Sequence, residues 1–245
     1  TGRTVAFEAL VRWDHPQLGV LQPDAFLDLV AVSGHLDSLG GIAVRQAAHA
    51  LAQLPDDISV AINLTAQNLR NLAFPSMCDA VFAEHEVDLH RLIVEVTESH
   101  VLDASGVTHS VIDEMAARGI RVSVDDFGTG YSSLTHLRSL PLSELKIDRR
   151  FVANLTSDDQ DLVIVRSMID LGHNLGLNVV AEGVEDAATL DLLHSLGCDV
   201  VQGYHLGKPA PLLDAIVRCA REERAIARDE VTVSSQYSGH ADERR

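Results

Sequence analysis

The sequence predicts an α/β domain built as a parallel β/α barrel, and three observations lead there. Short β-branched or apolar runs alternate with amphipathic stretches along the chain. Several runs are nearly continuous in apolar residues, as parallel strands covered on both faces require. Gly119, Gly176 and Gly197 each stand between an amphipathic stretch and the next run, where a glycine ending a helix belongs. Such β–α repetition over 245 residues most often builds the eight-stranded barrel.

Taken in order, the first strand is expected over Thr4–Trp13 (TVAFEALVRW), rich in β-branched and apolar side chains. A helix over Leu39–Leu54 leads to a second strand, Ile58–Leu64, and a helix over Ser76–Glu86 to a third, Arg91–Thr97. Val107–Arg118 is helical by its apolar spacing and precedes the strand Ile120–Asp125. Glu144–Ile147 is a short fifth strand. Thr156 or Ser157 is expected to cap the helix Asp161–Leu175, which returns to the strand Leu177–Ala181. Asp186 is expected to cap Ala187–Leu196, before a last strand at Cys198–Tyr204 and a helix at Leu212–Arg224. Seven strands are counted, one short of a closed eight. Residues 1–227 read as one domain, and 228–245 lose periodicity and read as a mobile tail.

Composition narrows the function. Hydrophobic residues make up 46% and charged residues 22%, an ordinary globular balance. No apolar run approaches the ~20 residues of a membrane helix, and no signal peptide is visible. Three cysteines far apart fit a reducing cytoplasm and exclude a disulfide framework. A net charge of −17 argues against nucleic-acid polymers and anionic membranes as partners. A small phosphate ester remains compatible if divalent cations mediate the contact. Lys146 and Lys208 are the only lysines among 19 basic residues, so both positions draw notice.

The acids carry the chemistry. Glu8, Asn63, Glu95, Glu98, Asp125, Asp126, Lys146, Glu182, Glu185 and Gln202 lie inside or just after the apolar runs. In a parallel barrel the C-terminal strand ends open on one face, where active sites lie. An unpaired carboxylate within an apolar strand costs several kcal/mol, so Glu8 and Glu95 demand compensation. Carboxylates with one amide oxygen form a hard-oxygen set suited to Mg²⁺, Mn²⁺ or Ca²⁺. The tandem Asp125–Asp126 suits one Asp bridging two ions. The residues alone therefore reach a metal-dependent hydrolase or lyase on a barrel, without a substrate. The twelve scattered histidines show no ligand spacing, and Met77, Met115 and Met168 read as core filler.

The same residues carry a resemblance. FEALVRW (Phe7–Trp13), INLTAQNL (Ile62–Leu69), IVEVTES (Ile93–Ser99), VDDFGTGYSSL (Val124–Leu134), LKIDRRFV (Leu145–Val152), VVAEGVE (Val179–Glu185) and VQGYHLGKP (Val201–Pro209) resemble, in order, the signature blocks of the EAL domain. That family comprises cyclic-di-GMP phosphodiesterases, and the match runs from residue 1 to about 215. The resemblance implies a TIM-like (β/α)8 barrel of the EAL type, hydrolysis of one phosphodiester bond to linear pGpG, and two Mg²⁺ or Mn²⁺ ions. It implies Glu8, Asn63, Glu95 and Asp125 as ligands of one ion, and Asp125 with Asp126 as ligands of the other. Lys146 would contact the water and phosphate between them, and Glu182 would serve as base or orient that water. Arg12, Leu10, Gln202 and Glu185 fall to substrate binding, Glu98 to anchoring the loop after Asp126, and that loop to homodimerisation.

The chain departs from the pattern at its front, where the family has a helix and a strand antiparallel to the rest. The expectation is therefore a barrel missing its first strand, cut from a longer protein with an upstream GGDEF or sensory domain. It would be cytoplasmic, or the cytosolic part of a membrane-anchored protein. AFLDLVAVSGHL (Ala25–Leu36) lacks a Pro near Asp28 and a Glu near Ala31 that the family usually carries. The alternatives are a sensor that binds cyclic-di-GMP without hydrolysing it, and a Mg²⁺ enzyme of a different barrel family.

Overall fold

A computed structural model describes residues 2–102, 106–129 and 134–222. The predicted first strand divides. β1 (Ala6–Ala9) enters the main sheet, while β2 (Trp13–His15) pairs antiparallel with β3 (Gly19–Leu21) in a separate ribbon. β1 stops pairing at Ala9 against Ile62, close to the end of its neighbour, so the remaining run has no ladder to join. Trp13 instead packs edge-on against the buried Phe26. This ribbon and the short α1 (Leu27–Val32) are elements that hydrophobic periodicity did not distinguish.

From there strand and helix alternate: α2 (Leu36–Leu51), β4 (Ser59–Asn63), α3 (Phe74–Glu84) and β5 (Leu92–Thr97). Then come α4 (Glu98–Leu102), α5 (Gly106–Ala117), β6 (Arg121–Phe127), α6 (Leu134–Ser139), β7 (Glu144–Ile147) and α7 (Arg149–Val152). α8 (Asp159–Asn174), β8 (Asn178–Ala181), α9 (Ala187–Ser195), β9 (Val200–Val201) and α10 (212–222) complete the described chain. The last predicted strand thus shrinks to two residues. Asp158, and not Thr156 or Ser157, caps α8 by accepting the Gln160 N–H, because the helix begins only at Asp159. Asp186 caps α9 as expected. Gly119, Gly176 and Gly197 take positive φ at the helix ends. The predicted tail from 228 lies outside the described residues.

β1-β4-β5-β6-β7-β8-β9 form one parallel, curled sheet of seven strands among the described residues, with β1 and β9 as its edges. The architecture is α/β and TIM-like. Strand side chains alternate between two faces. The outer set, including Ile62, Val94, Val122, Val124, Leu145 and Val179, packs under α2, α5 and α8 as the main core. Each helix presents one apolar stripe to it, as α2 does with Val44, Ala47, Ala48 and Leu51. The opposite set points into the barrel and mixes apolar Ala61, Ile93 and Val180 with most of the strands' charged and polar residues.

Candidate active site

The inward positions at the C-terminal strand ends converge. Lys146, on β7, is 2% exposed and places Nζ 2.8 Å from Glu95, 2.6 Å from Glu182 and 3.4 Å from Asp125. These are ion pairs, off hydrogen-bond alignment. Glu8, on β1, accepts from Asn63 Nδ2 at 2.8 Å and from Gln202 Nε2 at 2.7 Å. The second of these bonds joins the two edges of the sheet across 194 residues of sequence. Glu8, Asn63, Glu95, Asp125, Lys146, Glu182 and Gln202 are thereby brought to one mouth.

The tandem aspartates owe their arrangement to a bulge. Val124 pairs with Leu145 but Phe127 with Ile147, so Asp125 and Asp126 together oppose Lys146. Asp126 takes a left-handed backbone, φ 55°, and its side chain meets Asp148 while Asp125 faces Lys146. Asp148 in turn caps α7 and holds Arg150. The loop then passes through Gly128, whose N–H donates to the buried Glu98 at 2.9 Å. Gly128 has φ 94°, and a side chain there would collide with Met168 and Phe151. Gly130 and Tyr131, in the loop expected to dimerise, lie outside the described residues.

Four carboxylates around one ammonium set the electrostatics. Burial pushes Glu95 up to about 8, against the pull of Lys146, with Glu8 and Asp125 adding repulsion. Burial likewise raises Glu182 to about 7, again opposed by Lys146 and aided by Asp125. Asp126 rises to about 6 through burial, its bond to Asp148 and the charge of Asp125. Lys146 is opposed by its own burial, yet Glu95, Glu182 and Asp125 outweigh that and hold it protonated.

The donor set suits a divalent cation by chemistry: hard carboxylate and amide oxygens, surplus negative charge, and one buried oxygen, Glu95 Oε2, without a hydrogen-bond partner. The side chains are drawn together on Lys146, and among the described residues no three stand in ready ligand geometry.

Other expected residues stand apart. Arg12 Nη1 bonds the neighbouring Val11 carbonyl, and Leu10 is 40% exposed. Glu185 is exposed in the loop after β8. On the flank of β4, Leu27, Asp28, Arg70, Gln67 and His100 border an open cleft of about 640 Å³. No spacing in the sequence announced that cleft, because its walls come from α1, the segment after β4 and α4, which are far apart in sequence.

The comparisons place the chain in a family. Residues 1–209 match the sequence profile of the EAL domain. The chain belongs to the EAL domain family. It is 38% identical over 214 residues to the bifunctional diguanylate cyclase/cyclic di-GMP phosphodiesterase MucR of Pseudomonas aeruginosa, covering 86% of this chain and 31% of that protein. The cyclic di-GMP phosphodiesterase NbdA of the same organism is 36% identical, covering 91% of this EAL chain and 29% of its own length. Among solved structures, the PaMucR phosphodiesterase complex with c-di-GMP superposes with TM-score 0.79 and 37% identity, covering 84% of this chain and 85% of that one. The EAL domain of Mycobacterium smegmatis DcpA gives 0.77 and 33%, covering 90% and 92%. The EAL chain thus spans about a third of the curated relatives it matches, and those relatives are larger proteins. Among the described residues, no helix is long and apolar enough to cross a membrane.

Proposed function

We propose that this EAL domain hydrolyses one phosphodiester bond of cyclic-di-GMP to linear pGpG. The observation that carries the reading is the convergence of Glu8, Asn63, Glu95, Asp125, Lys146 and Glu182 at one barrel mouth, in a family whose relatives are named for this reaction. Mg²⁺ or Mn²⁺ would be held by Glu8, Asn63, Glu95 and Asp125, and a second ion by Asp125 and Asp126, supplying charge neutralisation and a more acidic attacking water.

The chain's own residues do the rest. Glu182 accepts the proton of the attacking water at a carboxylate oxygen, a task suited to a group raised to about 7. A bond forms from that water to phosphorus, the bond to the 3′-oxygen breaks, and the oxygen leaves as the 3′-hydroxyl of pGpG after taking a proton. Lys146 Nζ presents a fixed positive charge where the phosphate turns more negative. Gln202, Glu185, Leu10 and Arg12 line the approach of the dinucleotide, Arg12 after turning from the Val11 carbonyl. Glu98 holds the Gly128 amide and so the loop expected to form the homodimer. The upstream partner would be a GGDEF or sensory domain and the site of action cytoplasmic, in keeping with the larger relatives.

The test is incubation of the chain with cyclic-di-GMP and Mg²⁺ or Mn²⁺, following pGpG by chromatography. Expected are metal-dependent product and its loss in EDTA. Glu182→Gln should lower turnover by about 10²–10⁴-fold while binding persists, as loss of a general base does. The second reading, a sensor that binds without hydrolysing, is favoured by the way the acids close on Lys146. Binding of the dinucleotide in Mn²⁺ with no pGpG would select it.

A further inference from the structure

The barrel interior just below the acidic cluster holds buried polar atoms that no hydrogen bond within the described residues satisfies. On β6, Arg121, Ser123 and Asp125 alternate with the outward Val122 and Val124, so all three belong to the inward face. Ser123 is fully buried. Its register partners are Glu95 on one side and Glu144 on the other. Adjacent strands lie about 4.8 Å apart, so Ser123 stands one strand spacing from each.

Four buried atoms in this interior have no hydrogen-bond partner among the described residues: Lys146 Nζ, which is held in ion pairs, and Ser123 Oγ, Glu95 Oε2 and Arg121 Nε, which are not. The other guanidinium nitrogens of Arg121 are spent on Ser59 and Glu144. A buried polar atom left unmade costs about 1–3 kcal/mol, and native proteins satisfy nearly all of them, with ordered water where protein partners fail. An acceptor and a hydroxyl on neighbouring strands, in register with each other, form a pair that a single water can bridge. On β4 the register partner of Glu95 is Asn63, and the inward position below it is only alanine, Ala61.

We infer that a buried water bridges Ser123 and Glu95, and that through it Ser123 is a positioning residue for the cation-binding carboxylate. The water donates to Glu95 Oε2 and shares a hydrogen bond with Ser123 Oγ. It thereby fixes the turn of the Glu95 carboxylate and leaves Oε1, now 2.8 Å from Lys146 Nζ, directed to the mouth. Outer partners that orient a ligand carboxylate typically contribute about 10–100-fold in metal affinity. The positioning half of this inference rests on the metal-dependent reading above; the bridge itself does not.

The experiment has two arms. A high-resolution crystal structure of the full chain grown in EDTA should show a water within hydrogen-bond distance of both Ser123 Oγ and Glu95 Oε2. Ser123 Oγ bonded instead to a main-chain carbonyl, with no such water, overturns the bridge without any variant. In the second arm, Mn²⁺ is titrated calorimetrically into wild type, Ser123→Ala and Ser123→Thr, each checked for a cooperative melt. Ser123→Ala should bind about tenfold more weakly, and Ser123→Thr, which keeps the hydroxyl, should stay within about twofold of wild type. Equal affinity for wild type and Ser123→Ala overturns the positioning role. A wild type that takes up no Mn²⁺ sinks both the metal reading and that role, while the density still decides the bridge.

Discussion

The barrel has two polar ends on the same strands, and their charge balance differs. At the N-terminal end Arg121 faces Glu144 at 3.4 Å and bonds Ser59, one cation against one anion. At the C-terminal end Glu8, Glu95, Asp125 and Glu182 surround Lys146 alone. A few residues along a strand separate the layers: Arg121 lies four before Asp125, and Glu144 two before Lys146. The lower end is balanced and serves the fold. The upper end carries more acids than its one cation can pair, and burial there raises Glu95 and Glu182, the kind of perturbed cluster that marks a candidate site over a structural pair.

The largest effect should come from breaking the upper balance. Lys146→Met removes the single cation and leaves buried carboxylates unopposed, a loss of about 3–5 kcal/mol. Urea unfolding in EDTA should read that loss, and Mn²⁺ should restore part of it. An unchanged midpoint would mean that the cluster is not held by its charges.

The lower balance should be easier to upset without collapse. Arg121→Met strands the buried Glu144, whose carboxyl burial already raises against the pull of Arg121. Because Arg121 is about one-third exposed, the expected loss is about 2 kcal/mol, below that of a fully buried pair. The double variant Arg121→Met, Glu144→Leu should recover most of it, since the stranded charge is gone. A double variant less stable than the single would show that the pair itself contributes more than its desolvation takes away.

The smallest effect concerns the edge beside both ends. Glu222 on α10 accepts from the Thr4 N–H at 3.0 Å and from its hydroxyl at 2.7 Å, tying the segment before β1 to the last described helix. Burial opposes its charge, but those bonds and Arg218 outweigh it and hold the carboxyl below its ordinary 4.5. A depressed carboxylate contributes stability above its unfolded pKa and loses it as pH falls through the folded one. Glu222→Gln should therefore cost about 1 kcal/mol at pH 7. The gap from wild type should close as pH drops below about 4.5. Urea midpoints across that range check the sign, and a gap that widened in acid would reverse it.

Much of this was legible in the chain. Apolar runs with an acid inside them announced both the strands and the mouth, because an unpaired carboxylate is tolerated in such a run only where something compensates it. The helix-ending glycines and the Asp186 cap were equally readable, since a cap acts within a few residues. The β2–β3 ribbon was not, because TVAFEALVRW has strand propensity throughout and only the length of β4 decides where pairing stops. Nor was the turn of Arg12 to its neighbour's carbonyl.

The sequence by itself determined the β–α alternation, the placing of Glu8, Glu95, Asp125 and Lys146 in or at the ends of strands, and the family, since periodicity and local motifs are written in neighbouring residues. Only the tertiary structure decided the bulge that divides Asp125 from Asp126, the Glu8–Gln202 bond between the sheet edges, and the closing of three carboxylates on Lys146. Those depend on how far the sheet curls and how its strands slide past one another, and that is set by the packing of the whole barrel at once.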